Sequence, residues 1–160
     1  MYQTLPNLVL GFHGCSRETY EKVLYKHEEL NSSTNDYDWL GNGIYFWENS
    51  YDRALEWAQT HKADENPSVI GAVIDLELCL NLSDYGCTQA LSKAYDLLKY
   101  ESENAKIELP QNSGIFVEGN AIYPNSGIFA KTHIQICVRN PNCIKGYFTP
   151  KEFNCDFTRI

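Results

Sequence analysis

A chain of 160 residues suits one domain, 1–160, whose core removes about two thirds of the unfolded surface from water. With 13 Lys and Arg against 21 Asp and Glu, the formal charge is −8, which excludes tight, non-specific binding to phosphate backbones and leaves only a local basic patch open. No stretch approaches about 18 consecutive apolar residues, and no basic region followed by an apolar run opens the chain; no membrane span or signal peptide is expected, and the expected setting is the cytoplasm.

Leu8, Leu10 and Phe12 alternate with Val9, Gly11 and His13, which predicts a first strand ending with His13 on the face opposite Phe12. Ser16 can then cap a helix with Glu18 in its first turn, and Tyr20, Val23, Leu24 and His27 fall on one helical face. The polar residues from Asn31 to Asp38 read as a loop. Leu40 to Ala58 reads turn, strand, helix: Gly41 and Gly43 permit a tight turn, Ile44 to Trp47 suit a strand, and Asn49 or Ser50 can cap a helix with a stripe of Tyr51, Ala54, Leu55 and Ala58. Tyr45 thereby sits between a glycine turn and a helix start.

Val69 to Leu78 is predicted as a strand, with Asp75 and Glu77 on the face away from Ile74, Leu76 and Leu78. Leu91, Ala94, Tyr95 and Leu98 repeat the helical spacing with Thr88 as the predicted cap, and Glu101 to Asn112 reads as loop. Ser113 to Phe129 is rich in Gly, Asn, Ser and aromatics, a composition suited to a covering loop, and carries Glu118. Thr132 to Val138 alternates, with Ile134, Ile136 and Val138 on one face and His133, Gln135 and Cys137 on the other; Cys143 to Phe148 is expected to pair back on it as a hairpin. Strands and helices mix without regular βαβ alternation, so the expected class is α+β with an antiparallel or mixed sheet. The cysteines at 15, 79, 87, 137, 143 and 155 make no CxxC pair and no zinc-like Cys/His spacing, so free thiols and no metal are expected, while the even count leaves three disulfides open.

His13-Gly14, Tyr45 inside Gly-Asn-Gly-Ile-Tyr-Phe, and Gln135 in a late strand follow one another in an order that resembles the poly(ADP-ribose) polymerase and diphtheria-toxin branch of the ADP-ribosyltransferases. The likeness runs from about residue 8 to residue 148 and is strongest from Gly41 to Ala54. It implies an α+β fold of two packed, mostly antiparallel sheets flanked by a few helices, and NAD as co-substrate. By that resemblance the Gly14 backbone would hold the nicotinamide carboxamide, His13 would bond a ribose hydroxyl, and Tyr45 would stack on the nicotinamide ring, with Gly43 and Cys15 adjoining. Each residue type suits its role, because glycine admits a flat amide, imidazole can donate or accept, and an aromatic face packs on a cationic ring.

Several positions depart from the family pattern. The carboxylate that in the family steadies positive charge on the sugar is replaced by Gln135, which can bond a hydroxyl but carries no charge. Hydrogen bonds to charged groups contribute about 1.5–3 kcal/mol against about 0.5–1.5 for neutral ones, so the replacement costs on the order of tenfold to a hundredfold in rate. Glu118 is the nearest upstream carboxylate and a candidate to supply that charge or to accept a proton. Cys15 stands where a hydroxyl often follows His-Gly, and the family's second stacking tyrosine falls on Glu56, with Trp57 next to it as the candidate second wall.

The resemblance thus implies a mono-ADP-ribosyltransferase that releases nicotinamide from NAD and modifies a macromolecular acceptor, protein or nucleic acid, with NAD hydrolysis as a side reaction. A small catalytic domain of this kind suits a bacterial toxin, effector or defence enzyme, which as a toxin would have an inhibitory partner. The other class compatible with Gln135 is an inactive module of the same fold that binds NAD, ADP-ribose or a protein.

Overall fold

The computed structural model describes residues 7–36, 38–76, 79–105, 131 and 133–151. The chain divides into two compact units, Met1–Leu76 with Val117–Ile160, and Glu77–Phe116. The first holds strands β1 (Leu8–Ser16), β2 (Ile44–Glu48), β3 (Pro67–Asp75), β4 (Gln135–Val138) and β5 (Ile144–Phe148), with helices α1 (Arg17–Lys26) and α2 (Tyr51–His61). The second holds the helix α3 (Tyr85–Ala105).

The class is α+β. The five strands form one antiparallel sheet in the order β4-β2-β1-β3-β5, so among the described residues there is one sheet and not two. The expected hairpin of the last two strands is not formed. Among the described residues β4 and β5 are the two edges of the sheet, β4 on β2 and β5 on β3. The reason lies between them: Pro141–Cys143 makes a 3₁₀ turn capped by the Asn140 side chain, which accepts from the Asn142 amide at 3.1 Å, in place of the tight two-residue loop that pairs consecutive strands.

Both helices of the first unit follow local sequence signals. Ser16 caps α1 by accepting the Thr19 amide at 3.2 Å, Glu18 sits in the favourable first turn, and Tyr20 and Val23 are buried. His27 does not extend the apolar face; it takes the left-handed conformation that ends the helix, at φ 57°. At α2, Asn49 makes the turn with φ 50°, and Ser50 is the cap without a side-chain hydrogen bond. In the second unit α3 begins before the expected cap: the Asp84 carboxylate accepts the Cys87 amide at 3.0 Å, which places Thr88 inside the helix, and helix continues through the expected loop residues to Ala105.

The sheet carries a core on each side. On one, Ile44, Phe46, Ile70, Ile74 and Ile136 pack with Tyr20 and Val23 of α1. On the other, Trp47 and Val69 pack with Ala54 of α2. Among the described residues no helix is long and apolar enough to cross a membrane.

Candidate functional site

The strands bearing the three singled-out positions are neighbours: Gln135 on β4, Tyr45 on β2 and His13 on β1. Between β1 and β2 the paired register is short, Gly11 with Glu48 and Phe12 with Trp47. Beyond it β1 keeps its pairing to β3 through Ser16, while β2 keeps its pairing to β4 through Ile44. The sheet therefore opens between β1 and β2 from His13 onward.

His13 bridges the opening. Its Nδ1–H donates to the Tyr45 carbonyl oxygen at 2.8 Å; a carbonyl only accepts, so the proton is on Nδ1 and Nε2 is left as an acceptor in the neutral ring. Desolvation by burial pulls the His13 pKa below its ordinary value, which favours that neutral form. The ring lies 5.7 Å from Phe46, on the side opposite Phe12.

Tyr45 presents its side chain to the other side of the sheet, the side of Trp47 and of its cross-strand neighbour Cys137. The hydroxyl is pinned: it donates to the Gly41 carbonyl at 2.8 Å and accepts the Leu40 amide at 3.0 Å. Burial raises the Tyr45 pKa, and the nearby Asp38 carboxylate adds to the effect, so the phenol stays protonated. Gly41 takes φ 82°, which is why a glycine stands at this turn. Asp38, which sequence reasoning missed, is a carboxylate whose charge is felt at both Tyr45 and Cys137.

Gln135 is cross-strand from Trp47 and on the same side of the sheet as Tyr45. It is held by a residue the sequence did not single out: the Trp39 indole N–H donates to Gln135 Oε1 at 2.6 Å. Trp47, at the last β1–β2 pair, is buried, and its indole N–H finds no acceptor among the described residues.

The other positions fare differently. A Cβ on Gly14 would stand 2.3 Å from the Ala54 carbonyl oxygen, so helix α2 already uses the space that glycine leaves. Both backbone groups of Gly43 are taken by Ser33, at 2.8 and 3.2 Å, and a Cβ there would strike Cys137 Sγ at 2.5 Å; this glycine serves the packing of the loop and β4. Cys15 is buried in the α1-side core, with burial pushing its thiol up to about 12, so it is not a ready nucleophile. Trp57 packs 5.9 Å from Trp47 and stacks on His61 at 4.7 Å. Glu56 is held by Lys131 at 2.7 Å and by Arg53, and these cations keep its carboxyl below the usual carboxylate range. Glu118 lies outside the described residues.

No protein-family model matches the chain, and neither curated proteins nor solved structures give a match. Among the described residues no group of three His, Cys, Asp or Glu could hold a metal ion. What remains is a split in a sheet, bridged by a neutral histidine whose ring faces the α1 side, with a pinned tyrosine and an oriented amide brought together on the opposite side. Such a set offers hydrogen bonds to hydroxyl groups and an aromatic surface.

Proposed function

We propose that this chain is a mono-ADP-ribosyltransferase that takes NAD as co-substrate, releases nicotinamide and transfers ADP-ribose to a protein or nucleic-acid acceptor in the cytoplasm, as a bacterial toxin, effector or defence enzyme would. The observation that carries this reading is the opening of the sheet at His13, with His13 bonded across it to the Tyr45 backbone. Within the one sheet of the described residues, the opening leaves β4-β2 and β1-β3-β5 unpaired with each other beyond Phe12, and the reading places the ligand there.

In this reading the nicotinamide riboside would lie in the opening itself, where Nε2 of neutral His13 accepts from a ribose hydroxyl from the α1 side of the sheet and the Tyr45 ring, its hydroxyl fixed, is the surface for the nicotinamide from the α2 side. The bond from the ribose anomeric carbon to the nicotinamide nitrogen breaks, its electron pair leaves with neutral nicotinamide, and the acceptor nucleophile or water forms the new bond and gives up its proton. Positive charge grows on the sugar in between, and Gln135 meets it with a neutral amide.

The test is nicotinamide release from NAD by the purified protein. Release is expected, abolished in His13→Ala and lowered in Gln135→Ala; no release and no labelling of a lysate by labelled NAD would sink the enzyme reading. Protease and nuclease digestion of the labelled lysate separate the two acceptor classes. A second reading, an inactive module that binds NAD or ADP-ribose, is favoured by the engagement of Gln135 Oε1 by Trp39, and NAD binding without release would establish it.

A further inference from the structure

Trp39 is 41% exposed, an uncommon placement for an indole, and it lies in the loop that joins α1 to β2. Three sets of bonds hold that loop. Ser33 and Gly43 pair at its base, at 2.8 and 3.2 Å. Ahead of Trp39, Asp38 accepts the Asn35 amide at 2.7 Å and returns its own amide to the Asn35 carbonyl at 3.0 Å. Behind it, Leu40 and Gly41 are fastened to the Tyr45 hydroxyl at 3.0 and 2.8 Å. The residue between these clamps delivers its indole N–H to Gln135 Oε1.

An indole nitrogen only donates, so the amide oxygen of Gln135 must face Trp39 and the NH₂ group must face elsewhere. An unrestrained glutamine could turn its amide over at little cost; this one is fixed in one sense. We infer that Trp39 is a positioning residue that locks the Gln135 amide with its NH₂ outward, so that Gln135 donates to a ribose hydroxyl oxygen of NAD. The inference rests on the transferase reading for its ligand. It also defines what Gln135 does, since a neutral donor to a hydroxyl oxygen gains nothing as positive charge grows on the sugar and so acts in substrate binding more than in the chemical step. Tyr45 enters twice, as a ring and as the anchor of the loop that sets Gln135.

The test compares Trp39→Phe, Gln135→Ala and the double variant in nicotinamide release across a range of NAD concentrations, with NAD binding measured by calorimetry. Trp39→Phe keeps an aromatic ring, smaller than the indole, and loses the donor. It is expected to raise KM and Kd for NAD about three- to tenfold with kcat within about twofold. The double variant is expected to be no weaker than Gln135→Ala, because the two residues act through one bond. Unchanged KM in Trp39→Phe, or losses that multiply in the double variant, would overturn the role of Trp39 while leaving the enzyme reading intact. If NAD binds without release, equal rises in Kd for both single variants still support the lock and an unchanged Kd in Trp39→Phe overturns it. Absence of NAD binding by the unaltered protein overturns both.

Discussion

His13 Nδ1–H donates to the carbonyl oxygen of Tyr45 at 2.8 Å, across the point where β1 and β2 part. One bond therefore holds the two sides of the opening at a fixed separation, and it needs the neutral or the charged ring with its proton on Nδ1. Burial favours the neutral ring and sets the folded-state pKa below the ordinary value of 6.5. The unfolded chain then takes up a proton more readily than the folded one. The stability that neutral His13 contributes is complete above pH about 6.5 and is lost as the pH falls through that value towards the folded-state pKa. The melting temperature is expected to fall between pH 7.5 and 5, with a shallower fall in His13→Asn, whose amide can still donate to Tyr45. Equal slopes in the two proteins would remove His13 as the cause.

Gly14→Ala places a methyl group 2.3 Å from the Ala54 carbonyl, and both partners are backbone or bound to it, so helix and strand must move apart. Overpacking of this kind costs about 1–3 kcal/mol, and in a chain of this size roughly 2–4 °C in melting temperature accompanies each kcal/mol. Thermal unfolding should show a clear loss. A Gly14→Ala protein as stable as the parent would free this glycine from its packing role.

Tyr45→Phe keeps the ring and removes the hydroxyl that ties Leu40 and Gly41. The expected loss is about 1 kcal/mol by chemical denaturation, with backbone amide exchange faster at Leu40. Unaltered exchange there would show that the turn stands without the phenol.

Gln135→Glu keeps an oxygen for the Trp39 N–H and brings a second oxygen that carries charge to the ribose. On the transferase reading, kcat for nicotinamide release should rise by about tenfold, the lower end of the difference between charged and neutral hydrogen bonds. No change, or a fall, would mean that position 135 does not face the reacting sugar.

The buried Cys15 thiol, pushed up to about 12, should resist alkylation in the native protein at pH 8, while half-buried Cys87 reacts. Peptide mapping after iodoacetamide treatment reads both sites. Early labelling of Cys15 would mean that the α1-side core opens.

Much of the fold was legible because it is local. Ser16 needs only the amide three residues on to cap α1, and the alternation of Ile136 and Val138 with Gln135 and Cys137 fixes which side chains of β4 are buried, whatever strand lies beside it. The turn at Gly41, the strand through Tyr45 and the stripe of Ala54 and Ala58 were likewise set by short-range sterics and periodicity.

Pairing is different, because it joins residues far apart and leaves little trace in either segment. Only the tertiary structure decided that β5 lies on β3 at the far edge from β4, that Ser33 takes both backbone groups of Gly43, and that the Gly14 space belongs to Ala54. It decided the candidate site in the same way. The sequence by itself determined that His13, Tyr45 and Gln135 occupy strands; the tertiary structure made those strands neighbours, opened the sheet at His13 and brought Trp39 to Gln135 across 96 positions of chain. A hydrogen bond over that separation exists only once the sheet is assembled, and so no local pattern could announce it.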